Sequence, residues 1–271
     1  MVPPRRHGAG GDGLLMTVYG ICMVRDEDDI IGATVAHMLE QVDHVLVADN
    51  LSTDWTREVL EALSCPRLTV VDDDDPAYCQ DEKMSRLAYE AMRAGADWVV
   101  PFDADEWWYS PHGRIGDVLG RLGDYAIAEA DLFDHVATAA DPVEGSPVER
   151  IGWRRREPGP LPKVACRTSP DLHIEMGNHG AHYGAFHGRV ITEQLVVRHF
   201  PYRSAEQMTR KALQGAAALE AAGMPRHVGQ HWRDYADLER ANPGAIADVF
   251  HTYFHSADPH ADPSLIFDPA P

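Results

Sequence analysis

The sequence has few positive charges and no long hydrophobic run. Its 271 residues carry 24 Lys and Arg against 43 Asp and Glu, which gives a formal net charge of -19. Nucleic acids are bound by basic surfaces, so this charge predicts that no nucleic acid is a partner. No apolar stretch approaches the ~20 residues that span a bilayer, and the polar, Gly-rich start of the chain is unlike a signal peptide. We therefore expect a protein without a transmembrane segment, located in the cytoplasm.

Cysteine is also scarce. The chain has 4 Cys, and their spacing does not form the close pairs that are typical of zinc sites. In a cytoplasmic protein such cysteines are expected to be reduced thiols. The length suits one large domain with a substantial core, or one domain with a small appendage.

Apolar runs and helical patterns alternate through the first part of the chain. Strands are predicted at 17–24, 44–48, 68–71 and 97–102, and an amphipathic helix follows each of the first three. Each of these strands ends in acidic residues. The alternation predicts an α/β fold with a parallel sheet and right-handed crossover connections.

The fourth strand is followed by three carboxylates, those of Asp103, Asp105 and Glu106. Ligand sites of open α/β sheets lie beyond the carboxyl ends of the strands. In an extended segment alternate side chains point the same way, so Asp103 and Asp105 can converge on one divalent cation, which could then hold a diphosphate. The alternative is an Asp-rich turn that caps the next element.

Four motifs occur in a set order between residues 17 and 215. They are Met23–Glu27, Val47–Asp54, Phe102–Glu106, and His199–Ser204 followed by Lys211. In order and spacing they resemble the motifs of nucleotide-sugar glycosyltransferases of the GT-A fold, in the broad family 2 group. One departure is Leu51, where the family usually has Gly in the turn.

The resemblance implies a GT-A-like Rossmann-type sandwich, with a mostly parallel central sheet flanked by helices and a C-terminal helical segment. It implies a metal-dependent, inverting transfer of a sugar from a nucleoside-diphosphate sugar, with UDP as the expected nucleotide and Mn²⁺ or Mg²⁺ as the cofactor. By resemblance, Glu27 and Asp49 contact the base and ribose, Asp103 binds the ribose or the metal, and Asp105 and His199 bind the metal.

An anionic donor must be neutralised in this acidic protein, which a divalent cation and nearby basic residues can do together. For Lys83 and Arg86, a role in neutralising the donor and a position as solvated surface cations are equally good interpretations. The predicted donor-binding set is Val24, Arg25, Glu27, Asp49, Lys83, Arg86, Asp103, Arg203 and Lys211.

An inverting transfer also needs a general base within reach of the acceptor hydroxyl. Our first candidate is Glu175, followed by Glu106 and Asp134. His179 and His182 lie nearby in the sequence. These two histidines could form part of a zinc site, but the sequence offers no further close ligands to complete it. The alternatives are that they are hydrogen-bonded structural histidines or that they contact the acceptor or donor sugar.

The expected organisation is one catalytic domain at 16–222, with a nucleotide-binding half at 16–124 and an acceptor half at 125–222. A helical appendage is expected at 223–255, and disordered tails at 1–15 and 256–271. The sequence does not decide whether the acceptor is a glycan, a lipid carrier or a small metabolite.

Two alternative functions are compatible with the same fold class. One is a nucleotidyltransferase, which should have a Gly-rich basic loop after the first strand, and the other is a non-catalytic nucleotide-sugar-binding protein.

Overall fold

The computed structural model describes residues 16–185 and 187–270. The tail expected at 1–15 lies outside the described residues. The strands are β1 (Val18–Val24), β2 (His44–Asp49), β3 (Leu68–Asp72), β4 (Trp98–Pro101), β5 (Glu106–Tyr109), β6 (Ile127–Asp134), β7 (Ala137–Thr138), β8 (Trp153–Arg155), β9 (Lys163–Arg167), β10 (Leu172–Ile174), β11 (Ala181–Tyr183), β12 (Val190–His199), β13 (His255–Ser256) and β14 (Leu265–Phe267). The helices are α1 (Ile31–Gln41), α2 (Thr56–Ala62), α3 (Gln80–Arg93), α4 (Ile115–Leu119), α5 (Pro147–Arg150), α6 (Ala205–Ala221), α7 (Gln230–Ala241) and α8 (Ala245–Val249), with a 3₁₀ turn at Met176–Asn178 and a π turn at Phe250–Phe254.

Eight strands form the central sheet, in the order β3-β2-β1-β4-β9-β6-β12-β5. The pairs β3/β2, β2/β1, β1/β4 and β6/β12 are parallel, whereas β9 and β5 run antiparallel to their neighbours. The predicted α/β fold class with a mostly parallel sheet is therefore confirmed. Because β9 reverses direction between β4 and β6, the strands β1, β4, β6 and β12 all point the same way and end at one edge.

Helices cover both faces of the sheet, as predicted. On one face α1, α2 and α4 pack through residues such as Val35, Leu60 and Ile115. On the other face α3 and the β10–β11 hairpin pack through residues such as Leu87 and Ile174. Burial on both faces explains why the central strands are nearly continuous apolar runs in the sequence.

A third apolar cluster lies beyond the end of β12. It joins Ile30 and Phe200 to Met208 of α6 and to Ile246 and Phe250 of the C-terminal segment. The Ser204 side chain accepts a hydrogen bond from Gln207 N at 3.1 Å and so caps α6. This cap sets the start of the helix that carries Lys211.

The segment expected to be a disordered tail, 256–271, is instead ordered over its described residues. Strand β14 pairs antiparallel with β8. The carboxylate of Asp268 lies 2.6 Å from Arg154 Nε and 3.0 Å from Arg198 Nη2. These backbone pairs and two ion pairs anchor a stretch whose Pro- and Asp-rich composition suggested disorder.

The long segment between β6 and β9 contains β7, α5 and β8. The four cysteines are free thiols, as expected. Within 16–185 and 187–270, no helix has the length and apolar character to cross a membrane.

Candidate functional site

A cavity of about 590 Å³ opens at the edge of the sheet where β1, β4, β6 and β12 end. Its wall includes Arg25–Glu27 after β1, Asp103–Asp105 after β4, Asp134 at the end of β6 and His199 at the end of β12. Parallel strands bring these four chain segments together, although they are far apart in the sequence.

His199 lies between two carboxylates. Its Nδ1 is 2.7 Å from Asp134 Oδ1, and its Nε2 is 3.7 Å from Asp105 Oδ1. Since a carboxylate only accepts hydrogen bonds, Nδ1 donates to Asp134, and in the neutral ring the Nε2 lone pair faces Asp105. Burial lowers the pKa of His199, but Asp105 and Asp134 outweigh it and raise that pKa, so a cation would have to displace the Nε2 proton. A carboxylate that orients a metal-binding histidine in this way is a recurrent feature of metal sites. Asp105 and His199 thus fit a divalent cation as two protein ligands.

Asp103 is not placed as a third ligand. Its Oδ1 accepts hydrogen bonds from Gln80 Nε2 at 3.1 Å and Asn178 Nδ2 at 3.2 Å, and its Oδ2 lies 2.8 Å from Lys163 Nζ. Among the described residues, no group of three or more His, Cys, Asp or Glu side chains is arranged to hold a metal ion. The carboxylates of Asp103 and Asp105 thus have different partners, and their convergence on one ion stays a prediction. A cation bound through one carboxylate and one histidine would take its other ligands from substrate phosphates and water.

The carboxylate of Asp105 is surrounded by positive charge. Lys211 Nζ is in hydrogen-bond contact with Asp105 Oδ2, and Arg203 Nη1 lies 3.8 Å from the same oxygen. Burial raises the pKa of Asp105, but Lys211, His199 and Arg203 outweigh it and hold that pKa below its usual range. Burial lowers the pKa of Lys211, and Asp105 and Glu27 reverse this and raise it. Both groups are therefore charged at neutral pH.

Arg203 has a structural position. Its side chain is 2 % exposed and pairs with Glu27 and with Asp29, the latter at 2.8 Å. It ties the start of α6 to the segment after β1, and it does not line the cavity.

Glu106, the second candidate base, does not line the cavity either. Its side chain is 0 % exposed, and Oε1 lies 2.5 Å from Lys163 Nζ. Its Oε2 accepts hydrogen bonds from Asp103 N and Trp108 Nε1, both at 3.1 Å. A carboxylate with these partners and no access to the cavity holds the turn after β4 in place.

Glu175, the first candidate base, is exposed and lies outside the cavity lining. The neighbouring residues Met176, Gly177 and His179 do line the cavity. The chain enters left-handed conformations at Gly177 and Asn178, with φ of 75° and 58°. These turns direct His179, and not Glu175, toward the site.

The predicted donor-binding residues divide into two groups. Val24, Arg25, Glu27, Asp103 and Lys211 line the cavity. The other four do not: Asp49 lies 3.3 Å from Arg57, Lys83 lies 2.8 Å from Asp73, Arg86 lies 3.5 Å from Asp73, and Arg203 holds Glu27 and Asp29. Direct donor contact by these four residues stays a prediction.

Several cavity residues were missed by the sequence analysis. Asn50 lines the cavity where its neighbour Asp49 does not, and Arg210 lies beside Lys211. Tyr78 and Trp232 add an aromatic wall, with ring centroids 5.3 Å apart. The only sequence signal for Asn50 and Arg210 was that each is adjacent to a predicted donor-binding residue, Asp49 or Lys211.

Comparisons with known proteins find similarity in structure only. No protein-family model matches the sequence, and no curated protein matches it. S. aureus TarS 1-349 in complex with UDP-GlcNAc is 12% identical, covering 88% of this chain and 76% of that chain, with a TM-score of 0.43. Mannosyltransferase PcManGT from Pyrobaculum calidifontis, in complex with GDP-Man and Mn2+, is 17% identical, covering 89% of this chain and 80% of that chain, with a TM-score of 0.41. These are likenesses of fold, and the function proposed next rests on the residues of the site.

Proposed function

We propose that the protein is a glycosyltransferase that moves a sugar from a nucleoside-diphosphate sugar to an acceptor hydroxyl, with inversion at the anomeric carbon. The observation that carries this proposal is the cavity at the carboxyl edge of the sheet, where Asp105 and His199 face each other beside Lys211. A hard divalent cation suits one carboxylate and one imidazole, and diphosphate oxygens suit the remaining positions.

Asp105 and His199 would hold Mn²⁺ or Mg²⁺ in this proposal. The cation would supply charge stabilisation to the leaving diphosphate. Asp134 keeps His199 in the orientation that directs Nε2 toward Asp105. Lys211 and Arg210 are the cavity-facing cations of α6, and we assign them to the diphosphate oxygens.

We assign the nucleobase to the part of the cavity bordered by Asn50, Tyr78 and Trp232. Tyr78 and Trp232 offer aromatic surfaces to a flat base, and the Asn50 amide can recognise its edge. The Asn50 Nδ2 donates to Asp73 O at 3.0 Å and to Asp75 O at 2.6 Å, so its orientation is set before a ligand binds. A UDP-linked donor is our first choice.

The test is thermal unfolding with UDP, GDP and dTDP sugars in Mn²⁺ and in excess EDTA. UDP-GlcNAc and GDP-Man belong in the set, because two of the similar structures are complexes with these molecules. A ligand at a concentration 100 times its dissociation constant raises the free energy of unfolding by about 2.7 kcal/mol. We expect that stabilisation in Mn²⁺ and its loss in EDTA. Equal binding of all three nucleotides in EDTA would contradict the role of Asp105.

Two variants test the metal ligands. Asp105→Asn keeps the size of the side chain but loses its charge, so turnover should fall by orders of magnitude while the fold persists. Asp117→Asn, on the exposed side of α4, is the matched control and should leave turnover unchanged. His199→Ala should raise the metal concentration needed for half-maximal activity, with little change of stability in EDTA. A large loss of stability in EDTA with an unshifted metal titration would assign His199 to the core.

The products separate the two alternatives. A glycosyltransferase releases the nucleoside diphosphate and a new glycoside. A nucleotidyltransferase instead exchanges nucleotide with a sugar phosphate, and a non-catalytic binder shows stabilisation without turnover. The acidic Arg25–Asp29 segment after β1 lacks the Gly-rich basic loop expected of a nucleotidyltransferase.

A further inference from the structure

His179 is fixed in one tautomer at the wall of the cavity. Its Nδ1 lies 2.8 Å from the carbonyl oxygen of Pro162, which can only accept, so Nδ1 carries the proton. The other ring nitrogen, Nε2, is left with a free lone pair. Among the described residues none makes a hydrogen bond to it, and the side chain borders the cavity.

The segment that carries His179 is held against the turn after β4 by three side chains. Lys163 Nζ donates to Gly177 O at 2.7 Å, and Gly177 N donates to Gln80 Oε1 at 2.9 Å. Asn178 Nδ2 and Gln80 Nε2 both donate to Asp103 Oδ1. The position of His179 is therefore coupled to the turn that presents Asp105. Such support is what holds a reacting group in a productive geometry.

Gly177 allows the imidazole to lie close to the backbone. A Cβ at this position would be 2.5 Å from His179 Cδ2 and 2.8 Å from Nε2, and the φ of +75° disfavours any other residue. The conformation at Gly177 and the ring position of His179 therefore depend on each other.

The carboxylates considered as bases are less suitable. Glu106 is buried against Lys163, and Glu175 is outside the cavity. Asp134 borders the cavity, but its Oδ1 is engaged by His199 Nδ1 at 2.7 Å.

We propose, resting on the proposed function, that His179 is the general base of the transfer. Its Nε2 takes the proton of the acceptor hydroxyl as that oxygen forms a bond to the anomeric carbon. The bond from this carbon to the diphosphate oxygen breaks, and its electron pair leaves with the nucleoside diphosphate. The imidazolium then returns its proton to water, so the atoms and charges balance.

The charges that face His179 favour its neutral form. Burial lowers its pKa, and Lys163 on β9 and His199 on β12 act in the same direction, whereas Asp103 and the Pro162 carbonyl oppose them. Together these effects lower the pKa of His179 below its ordinary value of about 6.5, so the ring is neutral and can accept a proton at neutral pH.

The experiment compares His179→Gln with wild type, using UDP-GlcNAc or whichever donor stabilises the protein in the screen. The reaction followed is release of the nucleoside diphosphate in Mn²⁺ with water as the acceptor. We expect a loss of about 10²–10⁴-fold in kcat, the usual contribution of a general base, while the shift in melting temperature caused by the donor is retained. Added imidazole should partly restore the rate of His179→Gly.

The pH profile provides a second readout. Wild-type kcat/KM should rise with pH along a limb whose apparent pKa lies below about 6.5, and His179→Gln should lack that limb. If Asp134 is the base, Asp134→Asn removes the limb and His179→Gln keeps it.

His187→Gln is the matched control, because His187 is an exposed histidine of the same region and lies outside the cavity lining. It should keep the wild-type rate. A His179→Gln rate within about threefold of wild type, or an unchanged pH limb, would overturn the assignment while leaving the glycosyltransferase proposal intact. Absence of donor binding to the wild-type protein would instead refute the proposed function, and the base with it.

Discussion

Removal of the Lys163 ammonium should destabilise the protein and disturb the site together. Its side chain is 4% exposed, and Nζ lies 2.8 Å from Asp103 Oδ2, 2.5 Å from Glu106 Oε1 and 2.7 Å from Gly177 O. Lys163→Met keeps the length and apolar stem of the side chain but leaves the fully buried Glu106 without its charge partner. Burial lowers the pKa of Lys163, and Asp103 and Glu106 reverse this and raise it, which marks the ammonium as strongly held.

The expected loss is large because one partner of a buried ion pair is removed. Such changes cost about 3–5 kcal/mol. For domains of 150–250 residues 1 kcal/mol corresponds to about 2–4 °C, so the melting temperature should fall by roughly 6–20 °C. Lys163→Met/Glu106→Gln should recover much of this loss, since neither buried charge remains.

The loss should also depend on pH. Burial raises the pKa of Glu106, and Lys163 opposes that rise. Without Lys163 the rise is larger. A carboxyl with a raised folded-state pKa contributes stability that is complete below its unfolded pKa and is lost as the pH rises through the folded value. The difference between Lys163→Met and wild type should therefore widen from pH 5 to pH 8.

The assay is urea unfolding at these two pH values, with Glu106→Gln alone as the control. A loss below about 1 kcal/mol at pH 8 would be typical of an ordinary surface substitution and would refute the buried-pair reasoning. So would equal losses at both pH values, or a double variant no more stable than Lys163→Met.

Two further predictions concern stability. His135 donates its Nδ1 proton to Ile151 O at 2.8 Å, its buried Nε2 has no partner among the described residues, and burial lowers its pKa to about 4. This value lies below the pKa of about 6.5 in the unfolded chain. The contribution of His135 to the free energy of unfolding is therefore complete above pH 6.5 and is lost as the pH falls toward 4. Between pH 7 and pH 5 the free energy of unfolding should fall by about 2 kcal/mol. Urea unfolding should show this acid loss reduced in His135→Ala and unchanged in His112→Ala, and an equal loss in both would contradict it. Leu51 has a φ of 58°, so Leu51→Gly should raise the free energy of unfolding by about 0.5–1 kcal/mol, and Leu51→Ala, which keeps Cβ, should not.

Local patterning was sufficient to predict much of the fold. The apolar runs at 17–24, 44–48 and 68–71 became β1, β2 and β3, and the intervening periodic segments became α1 and α2. Residue periodicity reports burial directly, so strands and helices with one or two buried faces can be predicted from the sequence. The same logic placed the acidic residues after these strands at one edge of the sheet.

The roles of individual carboxylates depended on contacts that local patterning does not contain. Asp103 and Asp105 are two residues apart, yet Lys163, Gln80 and Asn178 engage Asp103, whereas Lys211 and His199 face Asp105. These partners come from elements far away in the sequence. Strand alternation predicts both side chains on one side, but the two residues lie in the turn between β4 and β5. Tertiary packing around that turn gives each carboxylate its own partners.

The segment that carries His179 and the C-terminal segment also depend on contacts that local sequence patterns do not contain. The sequence indicated the region of Glu175, but the left-handed turn at Gly177 and Asn178 decides that His179 borders the cavity. The order of the C-terminal segment comes from pairing between β14 and β8. Sequence alone determined the strands, the helices and the acidic edge because these follow from local periodicity. Tertiary structure decided which side chains meet, because burial and charge pairing act between residues that the chain brings together only when it folds.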